Sequence, residues 1–286
     1  MAVTNFIPEL WAAKILRNLH NMHVFAQPNV INRNYEGEIK AQGDTVRITS
    51  IGAITVSDYT KNTNMATPQT LQDAQQTLVI EKAKSFAFSV DDVDRVQGNP
   101  AAFDEAAYEA AYAMSDVQDQ YLANLYAYAG SFLGTDGSPK TLSAASDLYP
   151  IITQAKVKLG ELKVPDDGNR WLIVPEWGEG VMAQDNRFVM NYNPAIYGTL
   201  LNGQVTKIAG FNVLRSNNIT NDGSGNYRFM AGHPMAITLA DQVAQVEGFR
   251  SQLFFGDVLR GLQLYGAKVV RPQALVTITV TRPSFI

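Results

Sequence analysis

Hydrophobic positions in this chain follow two rhythms, and they change over at identifiable places. From Glu9 to Val24, the residues Trp11, Ile15, Leu19 and Met22 recur at steps of three or four, the stripe of a short helix, and Pro8 stands just ahead of it as suits a helix start. The period then shortens to two. Asp44 to Tyr59 is rich in β-branched residues (Thr45, Val46, Ile48, Thr49, Ile51, Ile54, Thr55, Val56), and in Thr77 to Val90 the residues Leu78, Ile80, Phe86, Phe88 and Val90 share one face that Lys82 and Lys84 interrupt. Thr60 to Gln76 between them is polar and lacks a core pattern, so the three segments predict one long hairpin with a soft tip. At 3.3 Å per residue an arm of about 14 residues extends roughly 45 Å, close to the ~50 Å diameter of a compact globule of this length. An isolated two-stranded ribbon is marginally stable in water, so either part of the hairpin pairs with the body or another subunit supports it.

The helical rhythm returns after Gly98, with Asn99 placed as N-cap and Pro100 as first helical residue. Phe103, Ala107, Ala110, Met114, Val117, Tyr121, Leu125 and Tyr128 alternate steps of four and three and predict a helix of about 30 residues, roughly 45 Å long. The flanking charges Asp104, Glu105, Glu109, Asp116 and Asp119 are all acidic, so two copies would repel across a coiled-coil seam. A helix lying across a sheet of its own subunit fits better. Gly130 to Ser146 is a Gly, Ser and Thr rich connection and marks a domain boundary. Beyond it, Ile151, Ile152, Ala155, Leu159 and Leu162 predict an amphipathic helix stopped by Pro165 and the turn Asp166-Asp167-Gly168. Trp171 to Val174 predicts a buried strand, and Val205 to Leu214, Tyr227 to Ala231, Ala236 to Leu239, Gly261 to Val270 and Leu275 to Thr281 predict further strands, separated by turns such as Asn221-Asp222-Gly223. Helices and strands do not alternate as βαβ units, so the predicted class is α+β.

Composition narrows the function. The 286 residues carry 23 Lys plus Arg against 27 Asp plus Glu, a net charge of -4 that argues against binding nucleic acid by charge neutralisation. Only 17% of residues are charged, below the roughly 25% usual in soluble domains, and 20 Asn and 17 Gln fill the polar deficit. A chain so weakly charged suits a surface covered by partners. Eight acids against Arg95 alone between Asp91 and Gly130 would repel DNA. The absence of Cys removes disulfides, thiolate metal sites and Cys nucleophiles. Glu9 precedes Lys14 and Arg17 in the first apolar pattern, the wrong order for a signal peptide, and no apolar run reaches membrane-spanning length.

Constellations that suggest chemistry fail one by one. Gly178-Glu179-Gly180-Val181-Met182-Ala183 fits a dinucleotide fingerprint, but no Asp or Glu follows between Asn186 and Asn221 to hold a ribose, so a turn into a short helix is expected. His20 and His23 could share a metal, yet no carboxylate lies within the next turn and His233 is remote. Asp91, Asp92 and Asp94 begin like a calcium loop without its glycine and distal glutamate. Asn218-Ile219-Thr220 is a formal glycosylation site. No catalytic, cofactor-binding or metal-binding residue is assigned, and no enzymatic mechanism follows.

What remains is architectural. Pro8-Glu9-Leu10-Trp11, then Phe86-Ala87-Phe88-Ser89-Val90-Asp91-Asp92-Val93-Asp94, then Gly261-Leu262-Gln263-Leu264-Tyr265-Gly266-Ala267-Lys268-Val269-Val270 occur in an order that resembles the major capsid (coat) proteins of tailed bacteriophages with the Hong Kong 97-type fold. The resemblance implies an N-terminal arm (1–35), an extended hairpin loop (36–90) lying over an adjacent subunit, a peripheral domain with a spine helix (91–143), an axial domain (144–250) and C-terminal strands returning to the core (251–286). It implies an icosahedral head of pentamers and hexamers around double-stranded DNA contacted non-specifically, a portal, virion localisation and synthesis in the cytoplasm of a bacterial host. Because the chain starts directly with the arm, a separate scaffolding protein is expected. Some relatives weld subunits through a lysine of the extended loop, and Lys61 is the only Lys between Ala41 and Glu81. The alternatives are an encapsulin-like nanocompartment shell and, from a different class, a soluble hydrolytic or carbohydrate-binding domain with a pocket near Trp171 and Trp177.

Overall fold

The Ala-rich segment AAFDEAAYEAAYAMSDVQDQYLA contains a single β-branched residue, Val117, and forms the long helix Ala101–Ala123 (α1). The computed structural model describes residues 24–34, 45–51, 58, 61, 73–91, 101–185, 207–250 and 256–285. The helix expected before Val24 (with His20 and His23), most of the hairpin tip, Asp92 and Asp94, and the caps Asn99 and Pro100 lie outside these residues.

Helix α1 tightens into a 3-10 turn at Asn124–Tyr128, and its buried stripe is Ala107, Ala111, Met114, Gln118, Leu122 and Leu125. This corrects the expected stripe: Val117 and Tyr128 are exposed, and the helix is rotated toward its polar side. Hydrophobic periodicity counts Gln118 and Asp119 as surface, but both are buried because each finds partners on other segments.

The expected hairpin forms with a different second arm, which begins at Asp73 inside the segment expected as tip and ends at Val79. Thr45–Ile51 (β1) pairs antiparallel with Asp73–Val79 (β2), from Thr45 opposite Val79 to Ile51 opposite Asp73. The second arm then breaks at Ile80 and Glu81, and Lys82–Asp91 (β3) pairs instead with a strand near the C-terminus. Part of the predicted arm therefore belongs to the body, as the marginal stability of a lone ribbon requires.

After α1 the chain gives Ser131–Leu133 (β4), Leu148–Glu161 (α2), Trp171–Val174 (β5), Glu176–Gln184 (α3), Lys207–Ile208 (β6), Phe211–Arg215 (β7) and Asn226–Gly232 (β8). Two strands far longer than expected, Ile237–Arg250 (β9) and Gly256–Val269 (β10), precede the last strand, Leu275–Thr281 (β11). Strands β3, β10 and β9 form a three-stranded antiparallel sheet in that order, with an irregularity in the β9 pairing between Leu262 and Gln263. The other large sheet runs β4-β11-β8-β5-β7-β6, mostly antiparallel, with parallel pairs β4/β11 and β5/β7. The class is α+β, as predicted.

All four residues of β5 are buried although they alternate between sheet faces, so the six-stranded sheet is covered on both sides. Its core draws Leu148, Ile152, Ala155 and Leu159 from α2, Val181 and Met182 from α3, and Leu122 and Leu125 from α1 and the 3-10 turn after it, and it also takes in Phe25, Val30 and Ile31. Two smaller clusters lie elsewhere. Ala111 and Met114 of α1 meet Leu259 of β10, with Phe86, Phe88 and Val246 packed around them. Ile48, Leu78 and Ile80 seat the hairpin base on Ala240 and Leu264.

Candidate assembly surfaces

Antiparallel pairing puts Ser85, Ala87 and Ser89 of β3 on the same sheet face as Leu262, Arg260 and Val258 of β10 and Glu247 and Phe249 of β9. The opposite face, with Phe86, Phe88 and Leu259, packs on α1. The first face is open: Ser85, Ala87 and Ser89 are exposed, and Phe249 and Leu262 keep 43% and 36% of their surface accessible. Arg260 is tied within this face, paired with Glu247 and lying 5.0 Å over the Phe249 ring. The result is an open face of small and apolar side chains on which Arg260 and Glu247 neutralise each other.

The C-terminal half of α1 carries polar side chains closely joined to their surroundings. Asp119 is 3% exposed and accepts the Val24 amide at 3.2 Å, with the amides of Phe25 and Ala26 directed at the same carboxylate from longer range and Oδ1 completing no hydrogen bond. Burial pushes its carboxyl up to about 6, opposed by those amides and reinforced by Asp116. One residue earlier, Gln118 Nε2 donates to Asp241 Oδ2 at 2.9 Å, and Arg33 donates to Asp241 Oδ1 at 2.8 Å. Asn218 Nδ2 donates to Asp116 Oδ1 at 2.6 Å, so the nitrogen of the formal glycosylation site is already engaged. Asp116, Asp119, Ser115, Tyr112, Glu176, Arg215 and Asn217 line a polar cleft of about 210 Å³. Asp119 is therefore a buried anchor, which corrects the expectation that it belongs to a DNA-repelling acidic surface, while Asp116 is half-buried and hydrogen-bonded.

A groove of about 570 Å³ lies between β4 and α2 and is lined by Leu133, Tyr149, Pro150, Thr153, Gln154, Val157 and Lys158. It is apolar and open, and polar groups do not converge on it as an enzyme site requires. The expected ligand pocket at Trp171 and Trp177 is filled by protein: Trp171 is 1% exposed, and Trp177 packs on Tyr227 and Phe229 with ring centroids at 5.3 and 5.4 Å. Gly178 of the apparent dinucleotide fingerprint lies within α3, where a Cβ would meet Val174 and Pro175 at 3.3 Å, so close packing accounts for the glycine. His233 Nε2 sits 3.3 Å from both Asp167 carboxylate oxygens while its Nδ1 accepts the Met235 amide, which staples a turn. No cluster of three or more metal-ligating side chains occurs among the described residues, nor any helix long and apolar enough to cross a membrane. Lys61 is exposed in a turn.

Residues 73–278 match the family model for phage capsid protein. The chain belongs to the phage capsid protein family. A solved structure of Mycobacterium phage Che8 agrees with it at 30% identity and a TM-score of 0.72, covering 97% of this chain and 98% of the other. Capsid structures of cyanophage P-SCSP1u (14% identity, TM-score 0.70, 91% and 88% covered) and Ralstonia phage GP4 (11% identity, TM-score 0.67, 92% and 90% covered) share the fold. No curated protein sequence matches. The capsid protein is thus a structural, shell-forming component of a virion with the Hong Kong 97-type fold, and not an enzyme.

The contacts that sequence reasoning missed are Arg33–Asp241–Gln118 and the Arg228–Asp136 pair, whose partners lie 92 to 208 residues apart. No local spacing signals them.

Proposed function

We propose that this capsid protein is the major building block of an icosahedral phage head, forming pentamers and hexamers around double-stranded DNA. The observation that carries the reading is the open face of the three-stranded sheet. One face is closed by α1, while the other presents Phe249 and Leu262 beside small Ser and Ala side chains, and the hairpin seats Ile48, Leu78 and Ile80 of its base on Ala240 and Leu264. Neighbouring copies can cover such a face without desolvating many charges.

In this reading residues 36–90 carry the extended loop and, in β3, its return into the body sheet, 91–143 are the peripheral domain with α1 as spine helix, 144–250 mostly the axial domain, 251–286 the strands that return to the core, and 1–35 the arm. A separate scaffolding protein directs assembly, a portal occupies one vertex, DNA is contacted non-specifically, and synthesis takes place in the bacterial cytoplasm. The phage-capsid family match favours this over a nanocompartment shell. Electron microscopy of the chain expressed with and without its scaffold is the test. Closed particles dependent on the scaffold are expected. A monomer that never assembles would overturn the shell, and efficient assembly of the purified chain alone would overturn the scaffold requirement. Lys61 lacks an identifiable asparagine partner, so mature particles boiled in detergent are expected to run as 31.4 kDa chains.

A further inference from the structure

The segment 24–34 crosses the α1 face at two ties of different kind. At its far end Arg33 holds Asp241 at 2.8 Å, and Asn32 pairs with Thr238 of β9. At its near end Asp119 receives the amides of the first turn. Among the described residues, the charged groups around Asp119 are Asp116 on its own helix, Glu176 and Arg215 across the cleft, and Asp241 with Arg33, which meet α1 at Gln118, one residue earlier. The charge that acts on it most is Asp116, of its own sign, while Arg215 is committed to Glu176 and Glu179 at 3.8 and 3.0 Å. An ionised Asp119 is thus buried beside a like charge, with amide dipoles as its compensation.

We propose that Asp119 is a proton-dependent clasp for residues 24–34, gripping this segment more firmly when protonated than when ionised. Loss of charge weakens the amide hydrogen bonds, which alone would predict the opposite sign. The cost of burying the charge outweighs them, because the docked carboxyl is 3% exposed and the lifted one is hydrated. The docked state therefore binds the proton more tightly. The stabilisation is complete below the ordinary carboxyl value of 3.8 and is lost as pH rises through about 6. Between about pH 5 and about pH 7.5 the equilibrium for lifting the segment should rise roughly tenfold. The Arg33 tie keeps this opening local.

Amide hydrogen exchange of the full chain, corrected for the intrinsic effect of pH, tests the clasp through the Val30 and Ile31 amides, which donate to the Gln27 carbonyl at 2.9 and 3.0 Å. Opening is expected to increase about tenfold from pH 5 to 7.5 with a midpoint near 6 in the wild type, and to be flat in Asp119→Asn. Opening that is flat in the wild type overturns the proposal. So does a dependence that persists in Asp119→Asn, which would assign it to another group. Should the variant fail to fold, the carboxyl carbon of Asp119 followed by NMR in the wild type decides: a midpoint near 6 supports the clasp, and one near 3.8 overturns it.

Discussion

Arg33 and Asp241, 208 residues apart in the chain, hold a 2.8 Å ion pair with side chains only 11% and 14% exposed. Asp241 completes its second oxygen with Gln118, which is fully buried, so one carboxylate joins the N-terminal segment, α1 and β9. Asp241→Ala removes the acceptor that Gln118 and Arg33 share and should destabilise the unassembled chain by about 2 to 4 kcal/mol, somewhat below the roughly 3 to 5 kcal/mol for breaking one side of a buried pair, because Arg33 keeps the Ala26 carbonyl. Asp241→Asn keeps an acceptor oxygen and should cost less. Urea unfolding of the two variants checks the order; equal losses would mean that packing, and not charge, is what Asp241 supplies.

Gly261 faces Phe86 across the β3/β10 pairing so closely that a Cβ would overlap the ring. Phe86 in turn packs against Met114 and Leu259 beneath α1. Gly261→Ala should push the ring out of that cluster and cost about 1 to 3 kcal/mol, the usual penalty of overpacking. Adding Phe86→Ala removes the obstacle, so the double variant should be less destabilised than the sum of the two single ones. Additive losses in a thermal unfolding cycle would refute the clash.

Which features the sequence disclosed follows from the range of the forces involved. Elements with local periodicity, such as Ile151 to Leu162, Trp171 to Val174 and Leu275 to Thr281, stand in the structure within a few residues of their expected places. Strand β9 was legible only as far as Leu239, because the stretch Asp241 to Arg250 mixes charged, amide and glycine positions and is held as strand by its pairing with β10. The hairpin was legible in its first arm, but the switch of partner at Ile80 and Glu81 depends on residues 165 to 183 positions away, from Asp91 opposite Gly256 to Lys82 opposite Tyr265. On α1 the pattern gave the helix and misplaced its buried face, because Gln118 and Asp119 are buried through contacts with Asp241 and Val24 that no window of sequence contains. The open sheet face likewise required the register of three strands.

The exposed turn at Asp167 carries a second pH signature. Two hydrogen bonds from Asn169, by side chain and backbone, together with the contact to His233, hold its carboxyl down at about 2. A depressed carboxyl contributes stability that is present above its ordinary value of 3.8 and is lost as pH falls through about 2. NMR titration should therefore find Asp167 still ionised well below the ordinary carboxyl value of 3.8. Asn169→Ala should raise its midpoint more than His233→Ala, since Asn169 supplies the larger effect. The reverse order would make His233 the main partner.

Arg228 clamps three pieces of chain at once. Its guanidinium donates Nε and NH2 to the two oxygens of Asp136 at 3.1 and 2.8 Å and lies 4.6 Å over the Tyr126 ring, so it ties the loop after β4 and the 3-10 turn after α1 to β8. Arg228 is 7% exposed and Asp136 57%, so the paired charge is screened on one side and the ion pair by itself is worth less than a buried one. Asp136→Asn should cost no more than about 1 kcal/mol. Arg228→Lys retains the charge but loses the planar fork and the stacking, and should cost about 1 to 2 kcal/mol, close to the loss in Arg228→Ala. Unfolding of the three variants in urea separates the contributions. If lysine restored most of the arginine stability, charge alone would account for the clamp, and the geometry of Tyr126 and Asp136 would be incidental.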